Sequence, residues 1–205
     1  MEEKEIQNEL AAIRGLMERS AKFISLSGLS GILAGIYALI GAGFAYNVVN
    51  NAFPAQLPNN ILVDDEVKIK LIIIAVLVLI ASILTGYALS ARKAKQKGQS
   101  IWTPTSRTLL FHMATPLVAG GLLILVLLAH GHYGIVSASS LIFYGLALVS
   151  ASNFTFSDVK YLGLCEIVLG LIAACLPGYG LLFWALGFGV LHIIYGSLMY
   201  FKYDR

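Results

Sequence analysis

The chain has 205 residues, of which 58% are hydrophobic and 12% charged, with a formal net charge of +3. A soluble domain carries about 25% charged residues, and a disordered chain is richer in charge and poorer in apolar residues. Both classes are excluded, and two cysteines are too few for a disulfide scaffold. The composition is that of a membrane protein.

Residues 1–22 read as a cytoplasmic amphipathic helix, because Ile6, Leu10, Ile13 and Met17 recur at helical spacing among Glu and Arg residues. The stripe has three roles open to it: lying on the inner membrane surface or the base of the bundle, self-association into a homo-oligomer, or docking of a cytoplasmic partner. No short apolar core leads to a small-residue cleavage site, so no cleavable signal peptide is expected.

A membrane-crossing helix needs about 20 apolar residues. Six stretches meet or approach that length: Phe23–Val48, Leu71–Leu89, Thr108–His130, Gly134–Ala151, Tyr161–Leu176 and Leu181–Phe201. Residues 23–205 are therefore expected to form one all-α, polytopic, six-helix transmembrane domain, with an outer loop at 49–70 and an inner basic loop at 90–107. The first stretch carries small residues at three- and four-residue steps. Among them Gly31 and Gly35 form a GxxxG pair, which lets helix backbones approach closely. The second is nearly continuous Leu, Ile and Val, as expected of a lipid-facing helix. The third contains Pro116, whose ring removes the hydrogen bond to the carbonyl of His112 and predicts a kink. The fifth is short and is closed by Pro177-Gly178, a turn signal.

Lysine and arginine are retained on the cytoplasmic side of a membrane. With six spans and both termini inside, Lys68 and Lys70 alone of the 14 basic residues fall outside. The bilayer is thus the predicted environment, in a bacterial inner membrane, and the modest positive charge is a topological bias with no nucleic-acid surface behind it. Gly28–Ile36 resembles Gly163–Leu171 residue by residue, a similarity that either a duplicated two-helix unit or chance in apolar sequence explains.

Ionisable groups inside a span are expensive and demand an account. Three stand out, all in the inner half: His112, Glu166 and His192. Glu166 shares a helical face with Gly163 and Gly170, and His192 shares one with Gly189 and Gly196, so both are expected to point into the bundle. Tyr144 and Tyr195 are placed to add hydrogen bonds. Carboxylate and imidazole together suit a proton- or solute-linked centre. They equally suit a simple lock holding three helices together, and two His with one carboxylate leave a metal site open as an unknown.

No cofactor is predicted. HExxH, GxSxG and phosphate-loop motifs are missing from the sequence, and no extramembrane segment is large enough for a soluble active site. The expected function is movement or sensing of a small solute or ion through the polar centre. The alternatives are a regulatory subunit that docks a partner through residues 1–22, and a small intramembrane enzyme.

Overall fold

The computed structural model describes residues 27–52, 65–96 and 100–204, together with residues 7 and 98. The amphipathic helix expected within residues 1–22 and the centre of the outer loop lie outside the described residues. Among those described the fold is entirely helical. Its helices are α1 (Gly28–Ala52), α2 (Asp65–Gln96), α3 (Pro104–Ala129), α4 (Val136–Ala151, entered through a 3-10 turn at Tyr133–Ile135), α5 (Val159–Cys175) and α6 (Gly180–Asp204). Five of them, α5 being the exception, are long and apolar enough to cross a membrane.

Helix α2 runs six residues past the expected span at its start and seven at its end, taking Asp65–Lys70 from the predicted outer loop and Ser90–Gln96 from the inner one. The reason is electrostatic. Asp65 and Glu66 sit in the first turn and Lys93 and Lys95 in the last, each sign at the end of the helix dipole that favours it. Lys68 pairs with Asp65 at 2.9 Å and Lys70 with Glu66 at 2.6 Å along the same face. Hydropathy locates the apolar centre of a helix and misses such charged ends.

Helix α3 likewise begins inside the predicted loop. Thr103 caps it: its hydroxyl accepts from the Ser106 N–H at 3.1 Å, and its own N–H donates to the Ser106 hydroxyl at 2.8 Å. Pro104 then occupies the first turn, where no N–H is needed. Gly131 (φ 76°) ends α3 and Gly178 (φ 104°) turns the chain from α5 into α6, both in the left-handed region open to glycine.

The helices pack in the order α2, α1, α6, then the pair α4 and α5, with α3 on the far side of α4. Glycine makes the two closest interfaces. A Cβ on Gly31 would lie 3.1 Å from the Gly196 Cα, and one on Gly196 would lie 2.5 Å from the Ile32 nitrogen, so α1 and α6 meet backbone to backbone. Between α4 and α5 a Cβ on Gly145 would lie 2.5 Å from the Gly163 carbonyl oxygen, and one on Gly170 would lie 2.9 Å from that of Ala138. Lipid supplies no hydrophobic drive between helices, so such close approach is how they associate. Gly31, Gly35, Gly163, Gly170, Gly189 and Gly196 all stand at these contacts. Helix α2 is the opposite case. Its buried residues, Val67, Ser90 and Ala94, lie at its ends, and most of its central Ile and Leu side chains are exposed.

Polar contacts gather the helix ends into two levels. At one, Asp204 near the end of α6 accepts from the Ser27 hydroxyl (3.0 Å), the Gly28 N–H (2.8 Å) and the Lys93 ammonium, tying α6 to the start of α1 and the end of α2. Asp158, just before α5, accepts from Lys202 Nζ at 2.7 Å and Tyr203 Oη at 2.9 Å. At the other level, Lys68 lies over the Tyr133 ring at 5.0 Å, and Gly134 faces Pro177. Helix α5 starts at the first level and ends at the second. Its 17 residues span about 25 Å at 1.5 Å per residue.

Candidate functional site

The most deeply placed polar group is built from three helices. Glu166 projects from α5 and is 0% exposed; His192 projects from α6 and is buried; Tyr144 projects from α4. Glu166 turns inward because Gly163 and Gly170, on the same helical face, are pressed against α4. His192 follows a π-helical segment, Ala185–Leu191, within α6. Such wide turns recur at functional positions because they displace the side chains that follow them.

The imidazole is held on both sides. Nδ1 lies 3.0 Å from the Gly187 carbonyl oxygen, and Nε2 lies 2.7 Å from the Tyr144 hydroxyl. A carbonyl can only accept, so Nδ1 carries a proton, and in the neutral ring Nε2 accepts from Tyr144. Glu166 Oε1 stands 3.4 Å from that same Nδ1. Neither carboxyl oxygen has a hydrogen-bond partner among the described residues.

The surroundings are apolar and tight. Leu141 is 0% exposed, and Phe188 covers Tyr144 with ring centroids 5.1 Å apart. Gly187 is the floor of the pocket around the carboxyl: a Cβ there would lie 2.5 Å from Glu166 Oε2 and 2.4 Å from the Leu141 Cδ2. An ionised carboxylate without donors is strongly disfavoured in such a place. The Glu166–His192 pair therefore holds a proton, either on the carboxyl beside a neutral imidazole or on an imidazolium beside the carboxylate. In both arrangements it is neutral as a unit.

Of the five residues expected at the polar centre, the structure brings Glu166, His192 and Tyr144 together. Tyr195 lies one turn further along α6, packed among Leu148, Val159 and Leu162, with its hydroxyl buried and unpartnered among the described residues. His112 is placed elsewhere. It is exposed, and its ring stacks on Phe154 at 4.7 Å. The reason is the packing order: α3 rests on α4, the far side of which faces α5 and α6. Pro116 lies inside α3, which continues past it to Ala129. The two-histidine, one-carboxylate set thus does not assemble, and among the described residues no three His, Cys, Asp or Glu side chains converge as metal ligands do. Cys165 and Cys175 are free thiols on the exposed side of α5.

Gly187 is the contributor that sequence reading passes over, because nothing in an apolar helix announces a π turn that aims its carbonyl at a side chain five residues on. Gly145, Asp158 and Asp204 are missed for a similar reason, since their partners are 18 or more positions away in sequence. No protein-family model, curated protein or solved structure matches this chain.

Proposed function

We propose that this chain is a six-span inner-membrane protein that moves or senses a small ion, the proton, through the Glu166–His192–Tyr144 centre. Helix α5 counts as the sixth span because its two ends lie level with the ends of its longer neighbours, and a helix of 17 residues is at the short end of the spanning range. The level that holds Asp204, Asp158, Lys93 and Lys202 is the cytoplasmic one, by the excess of Lys and Arg on that side.

The observation that carries the reading is the buried carboxyl with no donor, 3.4 Å from a histidine whose two nitrogens are both engaged. A group built only to lock helices is best served by saturating its hydrogen bonds. Here the carboxyl is left with capacity to spare. Once Glu166 has released its proton, another that reaches Nε2 from Tyr144 makes the ring an imidazolium and restores the neutral pair, and Nδ1 can then pass its own proton to the carboxylate. The Tyr144 O–H and Nδ1–H bonds break, the Nε2–H and Glu166 O–H bonds form, and Tyr144 recovers its proton from the side that supplied it.

The test is proton movement in proteoliposomes loaded with a pH-sensitive dye, under an imposed gradient. The wild-type protein is expected to collapse the gradient faster than protein-free vesicles, and Glu166→Gln, which keeps the shape and removes the titrating group, to lose that activity while remaining folded. Glu166→Gln protein that is less stable but moves protons at the wild-type rate would overturn the reading in favour of a helix lock.

A further inference from the structure

Glu166 is 0% exposed and His192 is buried, so a proton must have a way in, and one element offers it. Tyr195 sits three residues beyond His192 on α6, about 4.5 Å along the axis toward the cytoplasmic level. Its hydroxyl is buried and has no hydrogen-bond partner among the described residues. A buried hydroxyl normally finds a partner. Tyr195 packs against the same buried cluster, Leu148, Val159 and Leu162, as Tyr144 does, and Val159 of that cluster follows Asp158 directly in the chain. Tyr203 and Asp158 are themselves bonded at 2.9 Å, and Asp158 is part-exposed.

We infer that Tyr195 connects the Glu166–His192–Tyr144 centre to the cytoplasmic surface, with Tyr203 and Asp158 as the mouth of the route. The inference rests on the proton-linked reading of that centre. The stretch from Tyr203 to Tyr195 is eight residues, about 12 Å along the helix, and the route requires water from the inner surface to bridge it. At Tyr195 the oxygen accepts a proton from that water and the original O–H proton passes toward Tyr144. One O–H bond forms and one breaks, leaving the hydroxyl chemically unchanged. Tyr144 repeats the exchange and delivers to His192 Nε2. The other charged groups facing the route are Lys202, bonded to Asp158, and Lys93, 5.7 Å from the Phe156 ring that stacks on Tyr203.

Tyr195→Phe removes one oxygen and nothing else, and it removes one that is unpaired. The variant is expected to melt at or above the wild-type temperature, because deleting an unsatisfied buried hydroxyl relieves its desolvation. Its proton flux in the proteoliposome assay is expected to fall on the order of a hundredfold, the low end of what a positioned proton-transfer group contributes. Asp158→Asn is expected to shift the pH profile of flux only when the acid side faces the cytoplasmic surface. Wild-type flux in Tyr195→Phe alongside lost flux in Glu166→Gln would overturn the route and leave the centre standing. Wild-type flux in both would overturn the route together with the centre. A Tyr195→Phe protein that loses flux and stability together would make the hydroxyl structural, which also overturns the route.

Discussion

The α1–α6 contact is the sharpest place to test the architecture, and Gly196→Ala is the change to make. The added methyl would lie 2.5 Å from the Ile32 nitrogen, 2.8 Å from the Gly28 carbonyl oxygen and 2.9 Å from the Gly31 carbonyl carbon. All three are backbone atoms of α1, so no side chain can swing aside. Ordinary contact begins near 3.4 Å, and restoring it requires the two helices to part by several tenths of an ångström along their length. Overpacking of this kind costs about 1–3 kcal/mol, and the rigid backbone neighbours put this site at the upper end. Against that stands the gain of about 1 kcal/mol that alanine brings over glycine inside a helix. The net expectation is a loss of about 2 kcal/mol. Gly86→Ala on α2 is the matched control, since nothing lies within 4 Å of its Cβ position, and there the propensity gain stands alone. Thermal unfolding of the two purified variants in the same detergent reads the difference directly. If Gly196→Ala melts at or above Gly86→Ala, α1 and α6 are not in backbone contact and the packing order given above is wrong.

Three further outcomes follow from the same geometry. Asp204→Ala removes the carboxylate that Lys93, whose side chain is nearly buried, donates to, and leaves the Gly28 N–H without its acceptor. Breaking one side of a buried pair costs about 3–5 kcal/mol; a melting temperature equal to wild type would show that the end of α6 does not clasp α1 and α2. At Asp158, donation from Lys202 and Tyr203 holds the carboxyl below the usual aspartate value. A group lowered in this way contributes its stability at pH above the unfolded value and loses it as pH falls through the folded one. Wild-type protein is therefore expected to lose stability on acidification below the ordinary aspartate range, and Asp158→Asn to flatten that decline in a melting-temperature series against pH. An unchanged slope in the variant would rule the contribution out. Glu166→Gln is expected to stay within about 1 kcal/mol of wild-type stability, because replacing a carboxyl that makes no hydrogen bond removes little; a loss several times larger would mark Glu166 as a structural tie.

Much of this protein is legible in its residues because the bilayer is a demanding solvent. Every backbone group must be satisfied within its own segment, so apolar runs of sufficient length are helices, and the chain order of all six helices follows. The small residues of α1 announce a close neighbour, and the continuous Ile and Leu of α2 announce none. Inward-facing glycines flanking Glu166 reveal its direction before any coordinate is seen. Charged ends of helices are the systematic error. Asp65–Lys70 and Ser90–Gln96 are helical through salt pairs and dipole interactions that hydropathy does not register.

What the sequence could not decide is which helices are neighbours. His112 and His192 are equally polar intrusions in apolar stretches, and no local feature separates them. The separation comes from α3 resting on the outer side of α4, which sends His112 to Phe154 while α6 carries His192 to Glu166. The π turn at Ala185–Leu191, the Gly187 carbonyl on Nδ1 and the clasp at Asp204 are long-range or cooperative features of the same kind. Periodicity and composition act along the chain and determine the helices and their faces. The choice of partner depends on how whole surfaces fit across the bundle, and only the tertiary structure holds that information.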